Sequence, residues 1–311
     1  LLNNLEIEMK YKEELMVDEK NNTNQDALEP IIDINAYAPA RMAQRVGEVG
    51  IAKTKLETKT LFASSILAGV FIAMGMQLSV LVTHATNTNL GLSQLVGGVA
   101  FTLALILIVI SGAELFTGNC LVAISFMAKK ITGKALARNL IISFIGNFIG
   151  ASSLVVLIYA SGQWEFNHHL LGAKILLAAN QKVNMPFHVA FARGVLCNGL
   201  VCLAFWLCYS GRSNIDKILS LLWPITAIIA CGYEHSVVNM WLIPMGIAVK
   251  ANREVITVAE NVTSGILDLS NLTFFKGFLI DNLFPVSIGN LLGGFMIASA
   301  YWFIYLRHSN A

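Results

Sequence analysis

Two ionisable side chains stand next to each other in one of the most apolar parts of this chain. Glu234 and His235 lie in the run A-C-G-Y-E-H-S-V-V-N-M-W, between the apolar stretches Ile218–Cys231 and Met240–Val249. Ionisable groups at the centre of a membrane span are costly, so they usually line the path of a substrate or a proton. Imidazole can exchange a proton near neutral pH. The glycine at 232 predicts a broken helix, and transporters and channels build their sites at such breaks.

The composition is that of an integral membrane protein. Of 311 residues, 56% are hydrophobic and 13% are charged, and the mean hydropathy is +0.65, whereas a soluble domain carries about 25% charge. The net charge of +2 does not indicate a nucleic-acid partner. The five cysteines match no zinc or redox spacing and are interpreted as small apolar residues. Because the spans hold no histidine–carboxylate metal set and no nucleophile–base pair, we expect no metal, no cofactor and no enzymatic activity.

Six membrane spans are predicted, because a helix needs about 20 apolar residues to cross the hydrocarbon. Two of them are interrupted. The second meets S-G-A-E-L-F-T-G-N after Ser111 and resumes from Cys120 to Met127, and the fifth breaks at Gly232–Asn239. The predicted limits are 61–82, 95–127, 140–160, 189–209, 218–249 and 278–306.

Three motifs recur in the same order in the two halves of the chain. A-G-V-F-I-A-M-G in the first span matches A-R-G-V-L-C-N-G in the fourth, the two breaks correspond, and I-G-N-F-I-G in the third span matches I-G-N-L-L-G in the sixth. Three spans per half require the two repeats to be inverted in the membrane, with the site at their interface. The paired glycines of the third and sixth spans predict close helix packing.

The chain divides into a tail, a short helix and a membrane domain. Residues 1–33 are polar and show no signal peptide, which predicts a disordered cytoplasmic tail. Residues 34–58 predict an amphipathic helix lying on the cytoplasmic face, with an ordinary connector helix as the open alternative. Residues 59–307 form the membrane domain and 308–311 a short tail. The basic residues of the 2–3 and 4–5 loops and of the segment before span 1 place both termini in the cytoplasm of a cell-membrane protein.

From Ile34 to Arg307 the chain resembles the formate/nitrite transporter family. The resemblance rests on the segments G-A-E-L-F-T-G-N, N-x-x-V-C-L-A-x-W-x-x-Y-S-G-R-S and G-Y-E-H-S-x-x-N-M-x-x-I-P-M-G-I. It implies an all-α membrane protein of six helices in an aquaporin-like inverted repeat with two broken helices. It also implies a homopentamer with one pore per protomer, which carries protons and small monovalent anions such as formate, nitrite, hydrosulfide, acetate or lactate.

The resemblance assigns roles to the polar residues at the two breaks. His235 matches the central pore histidine of the family, where a proton handed to formate would give neutral formic acid. Thr117 and Asn198 match positions that hydrogen-bond this histidine or the anion, and Asn239 belongs to the same set. Two carboxylates are expected to be structural and to accept hydrogen bonds from the broken helix ends, namely Glu114 and Glu234.

The resemblance also implies two apolar slits, one on each side of the histidine, which exclude hydrated ions. Ile228 replaces an aromatic residue often found in one slit, so the width of that slit stays open. The slit positions are Phe101, Leu105, Leu115, Val201 and Ile228.

Two cations lie near the predicted outer mouth. Lys182 matches a vestibule lysine of the family, and a fixed positive charge there would raise the local anion concentration. Where family members often have K-V-H-H, this chain has K-V-N-M. Arg193 lies a short way into span 4. It is expected to snorkel to the surface or to contact another protomer, with a part in the anion funnel as the alternative.

These features favour a formate channel or a formate/proton transporter. The long 5–6 connection resembles that of formate-type members, and nitrite or hydrosulfide transport is the alternative within the family. A neutral-solute pore of the aquaporin kind would carry Asn-Pro-Ala at both breaks, and here the breaks read E-L-F-T and Y-E-H-S.

Overall fold

The computed structural model describes residues 36–85 and 89–307. The predicted tails 1–33 and 308–311 lie outside the described residues. We label the principal helices α1 (Pro39–Lys55), α2 (Thr58–Thr83), α3 (Leu90–Ser111), α4 (Phe116–Met127), α5 (Gly133–Ala160), α6 (Leu170–Val183), α7 (Phe187–Cys208), α8 (Asn214–Ala230), α9 (Ser236–Val249), α10 (Arg253–Thr263) and α11 (Phe274–Tyr305), which is π-helical as far as Leu283.

Five helices in the described part of the chain are long and apolar enough to cross a membrane: α2, α3, α5, α7 and α11. The chain is therefore a multi-pass membrane protein. The predicted fifth span is divided between α8, with 17 residues, and α9, with 14 residues. The total number of crossings stays a prediction. Two helices in the connections, α6 and α10, were not predicted.

Each of the two breaks begins at a glycine with a left-handed backbone. Gly112 has φ 76° after α3, and Gly232 has φ 66° after α8. Glycine adopts this conformation without strain, which makes it a common way to end a helix. Extended residues follow, and α4 and α9 then start at Phe116 and Ser236. Both breaks are therefore shorter than predicted. The helix after the first break resumes at Phe116 and not at Cys120, and the second break ends at His235 and not at Asn239.

The helices pack in two equivalent sets. In the first set, α2 packs on α5 and contacts α3. In the second set, α7 packs on α11 and contacts α8 in the same way. Helices α3 and α8 contact each other where the two sets meet. The short helices follow the same rule, since α4 packs on α11 and α9 packs on α5. Helix α1 contacts α4 as α6 contacts α9, so each repeat includes a fourth element ahead of its three spans.

Helix α1 is part of the packed fold as well as amphipathic. It buries Met42, Ala43 and Val46. Tyr37, two residues ahead of the helix, donates its backbone N–H to the Ser210 carbonyl oxygen at 2.9 Å. The first helix is thus joined to the end of α7 in the opposite repeat.

The close packing of α2 on α5 gives a test of the fold. A Cβ added at Gly150 would overlap the carbonyl oxygen of Ile66, whereas a Cβ added at Gly199 meets no described atom within 4 Å. We expect Gly150→Ala to destabilise the protein by about 1–3 kcal/mol, because the backbone of α2 must shift. Gly199→Ala should be neutral or stabilising, by up to about 1 kcal/mol. Thermal unfolding in detergent measures both, and equal midpoints for the two variants would contradict the packing.

Candidate functional site

A buried asparagine on α5 holds the first break together. The Asn147 Oδ1 accepts the backbone N–H of Phe116 at 2.8 Å. Its Nδ2 donates to the carbonyl oxygens of Ser65 at 2.7 Å and Glu114 at 3.0 Å. Backbone groups exposed by a break inside a membrane need such partners. Asn147 therefore binds two backbone groups of the break, the Phe116 N–H and the Glu114 carbonyl, and links them to the Ser65 carbonyl inside α2.

Asn290 on α11 does the same at the second break. Its Oδ1 accepts the backbone N–H of Ser236 at 2.9 Å, and its Nδ2 donates to the carbonyl oxygens of Gly194 at 2.8 Å and Glu234 at 2.9 Å. These two asparagines are the N of the repeated I-G-N motif. The motif was interpreted only through its glycines, so the role of the two asparagines was not predicted.

The carboxylate of the first break pairs with a lysine from α1. Glu114 Oε1 lies 2.8 Å from Lys53 Nζ, and Glu114 Oε2 accepts from Asn119 Nδ2 at 2.8 Å. Lys53 also donates to Asn119 Oδ1 at 2.9 Å. Lys53 was predicted only as a basic residue ahead of span 1, and its position as the counterpart of Lys182 was not foreseen.

The second break repeats this arrangement with a lysine from α6. Glu234 Oε1 lies 2.6 Å from Lys182 Nζ, and Glu234 Oε2 accepts from Asn239 Nδ2 at 2.8 Å. Asn239 Nδ2 also donates to Asn282 Oδ1 at 2.7 Å. The two carboxylates therefore bind side chains beside the breaks, while the backbone N–H groups of Phe116 and Ser236 bind the asparagines.

His235 caps the start of α9 and contacts the other break. Its Nδ1 accepts the backbone N–H of Val238 at 3.3 Å, and its Nε2 lies 2.9 Å from Thr117 Oγ1. An acceptor at Nδ1 places the proton of the neutral ring on Nε2, which then donates to Thr117. The imidazole is 3% exposed. The structure thus brings together the two residues expected to form the centre of the pore.

The other two residues predicted to contact the anion are bonded elsewhere. Asn198 Nδ2 donates to the carbonyl oxygen of Asn290 at 2.6 Å, and within the described residues it makes no hydrogen bond to His235. Asn239 belongs to the Glu234 network. The roles of Asn198 and Asn239 toward an anion stay predictions.

Two cavities approach the centre. The first, which we call the His235 vestibule, has a volume of about 360 Å³, and its lining includes Gln94, Lys182, Arg193, Gly232, Glu234 and His235. The second, which we call the Lys53 vestibule, has a volume of about 250 Å³, and its lining includes Arg45, Lys53, Glu114, Tyr209 and Lys217. Each vestibule holds one of the two lysine–glutamate pairs.

Only a thin partition separates the two vestibules. Glu114 lines the Lys53 vestibule. Thr117, three residues later, contacts the imidazole of His235, which lines the His235 vestibule. Three residues span at most about 10 Å. Leu115 lies between Glu114 and Thr117 in the sequence and is buried, like the other predicted slit residues. Each of the five is 1% exposed: Phe101, Leu105, Leu115, Val201 and Ile228. Their role as constrictions stays a prediction.

Arg193 faces the His235 vestibule. Its Nη1 donates to the Gly232 carbonyl oxygen at 3.3 Å, and its side chain lines the cavity beside Lys182. This position fits a part in the anion funnel better than snorkelling to the surface, and contact with another protomer stays a prediction.

The comparisons with known proteins agree with this architecture. The family described as "Formate/nitrite transporter" matches residues 40–303. The formate channel FocA of Escherichia coli K12 is 40% identical over 277 residues, covering 88% of this chain and 95% of that protein. A probable formate transporter of Methanothermobacter thermautotrophicus is 32% identical, covering 87% of this chain and 97% of that protein.

Solved structures show the same fold. A pentameric formate channel with formate bound aligns with a TM-score of 0.70 and 34% identity, covering 80% of this chain and 98% of that chain. An ion channel described as of the FNT family aligns with a TM-score of 0.71 and 25% identity, covering 85% of this chain and 98% of that chain. From the broken helices, the paired networks and these matches together, we conclude that this chain belongs to the formate/nitrite transporter family.

Proposed function

We propose that this chain carries formate across the membrane through a passage in which His235 separates the two vestibules. The observation that carries this proposal is the His235–Thr117 contact, because it joins the two breaks at the thin partition. The relatives named above as formate channels and transporters support formate as the substrate. Transport, and not catalysis, is the activity of the chain.

The chemistry of the partition follows from the cost of an anion in apolar surroundings. A bare carboxylate there is far more costly than its neutral acid. A proton that reaches the ring gives imidazolium, and its transfer to formate gives formic acid and restores the neutral imidazole. Formic acid can then pass the buried slit formed by residues such as Leu115, and it ionises again in the far vestibule. A proton therefore accompanies each formate that crosses in this way.

The assembly and orientation are part of the same proposal. The similar solved channel is pentameric, which supports a homopentamer with one passage per protomer. The excess of basic residues in the 2–3 and 4–5 loops supports cytoplasmic termini. In that orientation the Lys53 vestibule opens to the cytoplasm and the His235 vestibule to the outside.

The proposal is tested by formate flux in proteoliposomes at pH values of about 5 and about 8, which bracket the usual range for imidazole. We expect His235→Phe to lower formate flux at least about tenfold and to abolish the dependence of the flux on pH. A tenfold loss corresponds to an increase of about 1.4 kcal/mol in the barrier. His235→Asn should show the same loss while keeping a side-chain acceptor for the start of α9.

The control is His188→Phe, which removes an exposed histidine of α7. It should leave flux and its pH dependence as in the wild type. Unchanged formate flux at both pH values in His235→Phe and His235→Asn would refute the role of His235. The wild-type flux of nitrite, hydrosulfide, acetate and glycerol, measured in the same proteoliposomes, tests the alternative substrates.

A further inference from the structure

The lysine of the His235 vestibule is not a free positive charge. Lys182 and Glu234 form an ion pair of 2.6 Å, with side chains 16% and 3% exposed. Their charges cancel at this short distance, and Glu234 also binds Asn239. The lysine is therefore held by a carboxylate and contributes little net field to the cavity.

Arg193 is the uncompensated cation of this vestibule. Within the described residues no carboxylate lies at ion-pair distance from it. Of the five N–H groups of a guanidinium, the described chain provides an acceptor for one, the Gly232 carbonyl oxygen at 3.3 Å. The vestibule thus holds a half-buried positive charge with several free hydrogen-bond donors.

The position of Arg193 is costly without a ligand or a cavity. It is the seventh residue of α7, which places it about 9 Å along the helix from its first residue. An arginine within a spanning helix is expensive, and it is usually found facing a cavity or a partner. Apolar side chains share the lining, among them Met76, Ile229 and Leu242. These side chains keep the local dielectric low and strengthen any interaction with an anion.

We propose that Arg193 forms a carboxylate-capture subsite in the His235 vestibule, where a small monovalent carboxylate binds before it meets His235. The planar guanidinium can donate two parallel hydrogen bonds to the two oxygens of a carboxylate, which an ammonium held by Glu234 cannot match. The volume of about 360 Å³ accommodates formate and somewhat larger carboxylates. This inference rests on the proposed transport of formate and names the residue that first binds it.

The Lys53 vestibule has the same composition, which supports the assignment. There too a lysine–glutamate pair is closed, at 2.8 Å. An arginine again donates to a backbone carbonyl, since Arg45 Nη1 lies 3.3 Å from the Tyr209 oxygen. Arg45 is also covered by the ring of Tyr37, at 4.0 Å from its centroid. Arg193 is therefore the more open of the two arginines.

The test uses the full-length chain in proteoliposomes and measures initial formate uptake against formate concentration. We expect Arg193→Gln to raise the half-saturating concentration about tenfold, the effect of losing a charge-assisted contact. Arg193→Lys should raise it less, by about threefold, because the charge remains but the fork is lost. The matched control is Arg253→Gln, which removes an exposed arginine at the start of α10, outside both vestibules. Arg253→Gln should leave the half-saturating formate concentration as in the wild type.

A second measurement separates this subsite from transport itself. Formate added at matched ionic strength should raise the thermal midpoint of the purified wild type and of Arg253→Gln, and it should raise that of Arg193→Gln much less. If the wild type transports no formate, the proposed function is refuted. The shift of the thermal midpoint by formate then tests the Arg193 subsite independently of transport. Equal half-saturation and equal stabilisation by formate in the wild type and Arg193→Gln would overturn the subsite.

Discussion

Replacing Asn290 with leucine is expected to prevent the protein from folding stably. The side chain is completely buried and binds the Ser236 N–H and the Glu234 carbonyl of the second break, together with the Gly194 carbonyl inside α7. Leucine has a similar size but cannot bind any of the three. Each buried polar group left without a partner costs about 1–3 kcal/mol, so the loss from the two groups at the break should be at least about 2 kcal/mol. The yield of folded oligomer and its thermal midpoint in detergent measure this effect.

The matched variants define what the asparagine does. Asn261→Leu changes an exposed asparagine of α10 and should leave the midpoint nearly unchanged. Asn147→Leu removes the three equivalent contacts, to the first break and to α2, and should be as damaging as Asn290→Leu. A stable Asn290→Leu protein with normal formate flux would show that the break does not depend on this residue.

The second large effect is expected at the Lys182–Glu234 pair. Lys182→Met alone leaves Glu234 buried and charged without its partner, which typically costs about 3–5 kcal/mol. The double variant Lys182→Met/Glu234→Gln removes both charges and keeps a side-chain oxygen that can accept from Asn239. We therefore expect the double variant to recover most of the stability lost in the single variant.

Thermal midpoints of the single variant, the double variant and the wild type decide this point. A single variant as stable as the wild type, or a double variant no better than the single one, would contradict the structural role of the pair. From the sequence, Lys182 was expected only to raise the local anion concentration at the outer mouth. The ion pair of 2.6 Å predicts a cost in stability as well.

The spans were predictable because their signal is local. Long apolar runs and two Gly-containing interruptions identify α2, α3, α5, α7 and α11 to within a few residues at most ends. Helices α6 and α10 were missed because each is short and mixes apolar with polar residues. Helix α1 was expected on the cytoplasmic face of the membrane or as a connector, because an apolar stripe such as that of Met42 and Val46 does not show whether it packs on lipid or on protein.

The site was predictable in part, and mainly through the resemblance. His235 and Thr117 are 118 residues apart, so no local pattern could show that they touch. The same limit hid Lys53, whose partner Glu114 lies 61 residues away. The two asparagines of I-G-N could have been found, because a repeated polar residue inside a spanning helix needs an explanation of its own. Asn198 matched a family position, but its amide binds the backbone of α11.

The contact between Tyr37 and Ser210 has a consequence for biogenesis. Its two residues are 173 positions apart, and a ribosome adding about 5–20 residues per second needs about 9–35 s to cover that distance. Lys53 and Glu114, with 61 positions between them, can meet after only about 3–12 s. The sequence separation therefore allows Glu114 to pair with Lys53 early in translation, whereas the Tyr37 contact cannot form before Ser210 has been synthesised. A nascent chain stalled before residue 210 would contain both partners of its first ion pair but could not yet dock its N-terminal arm.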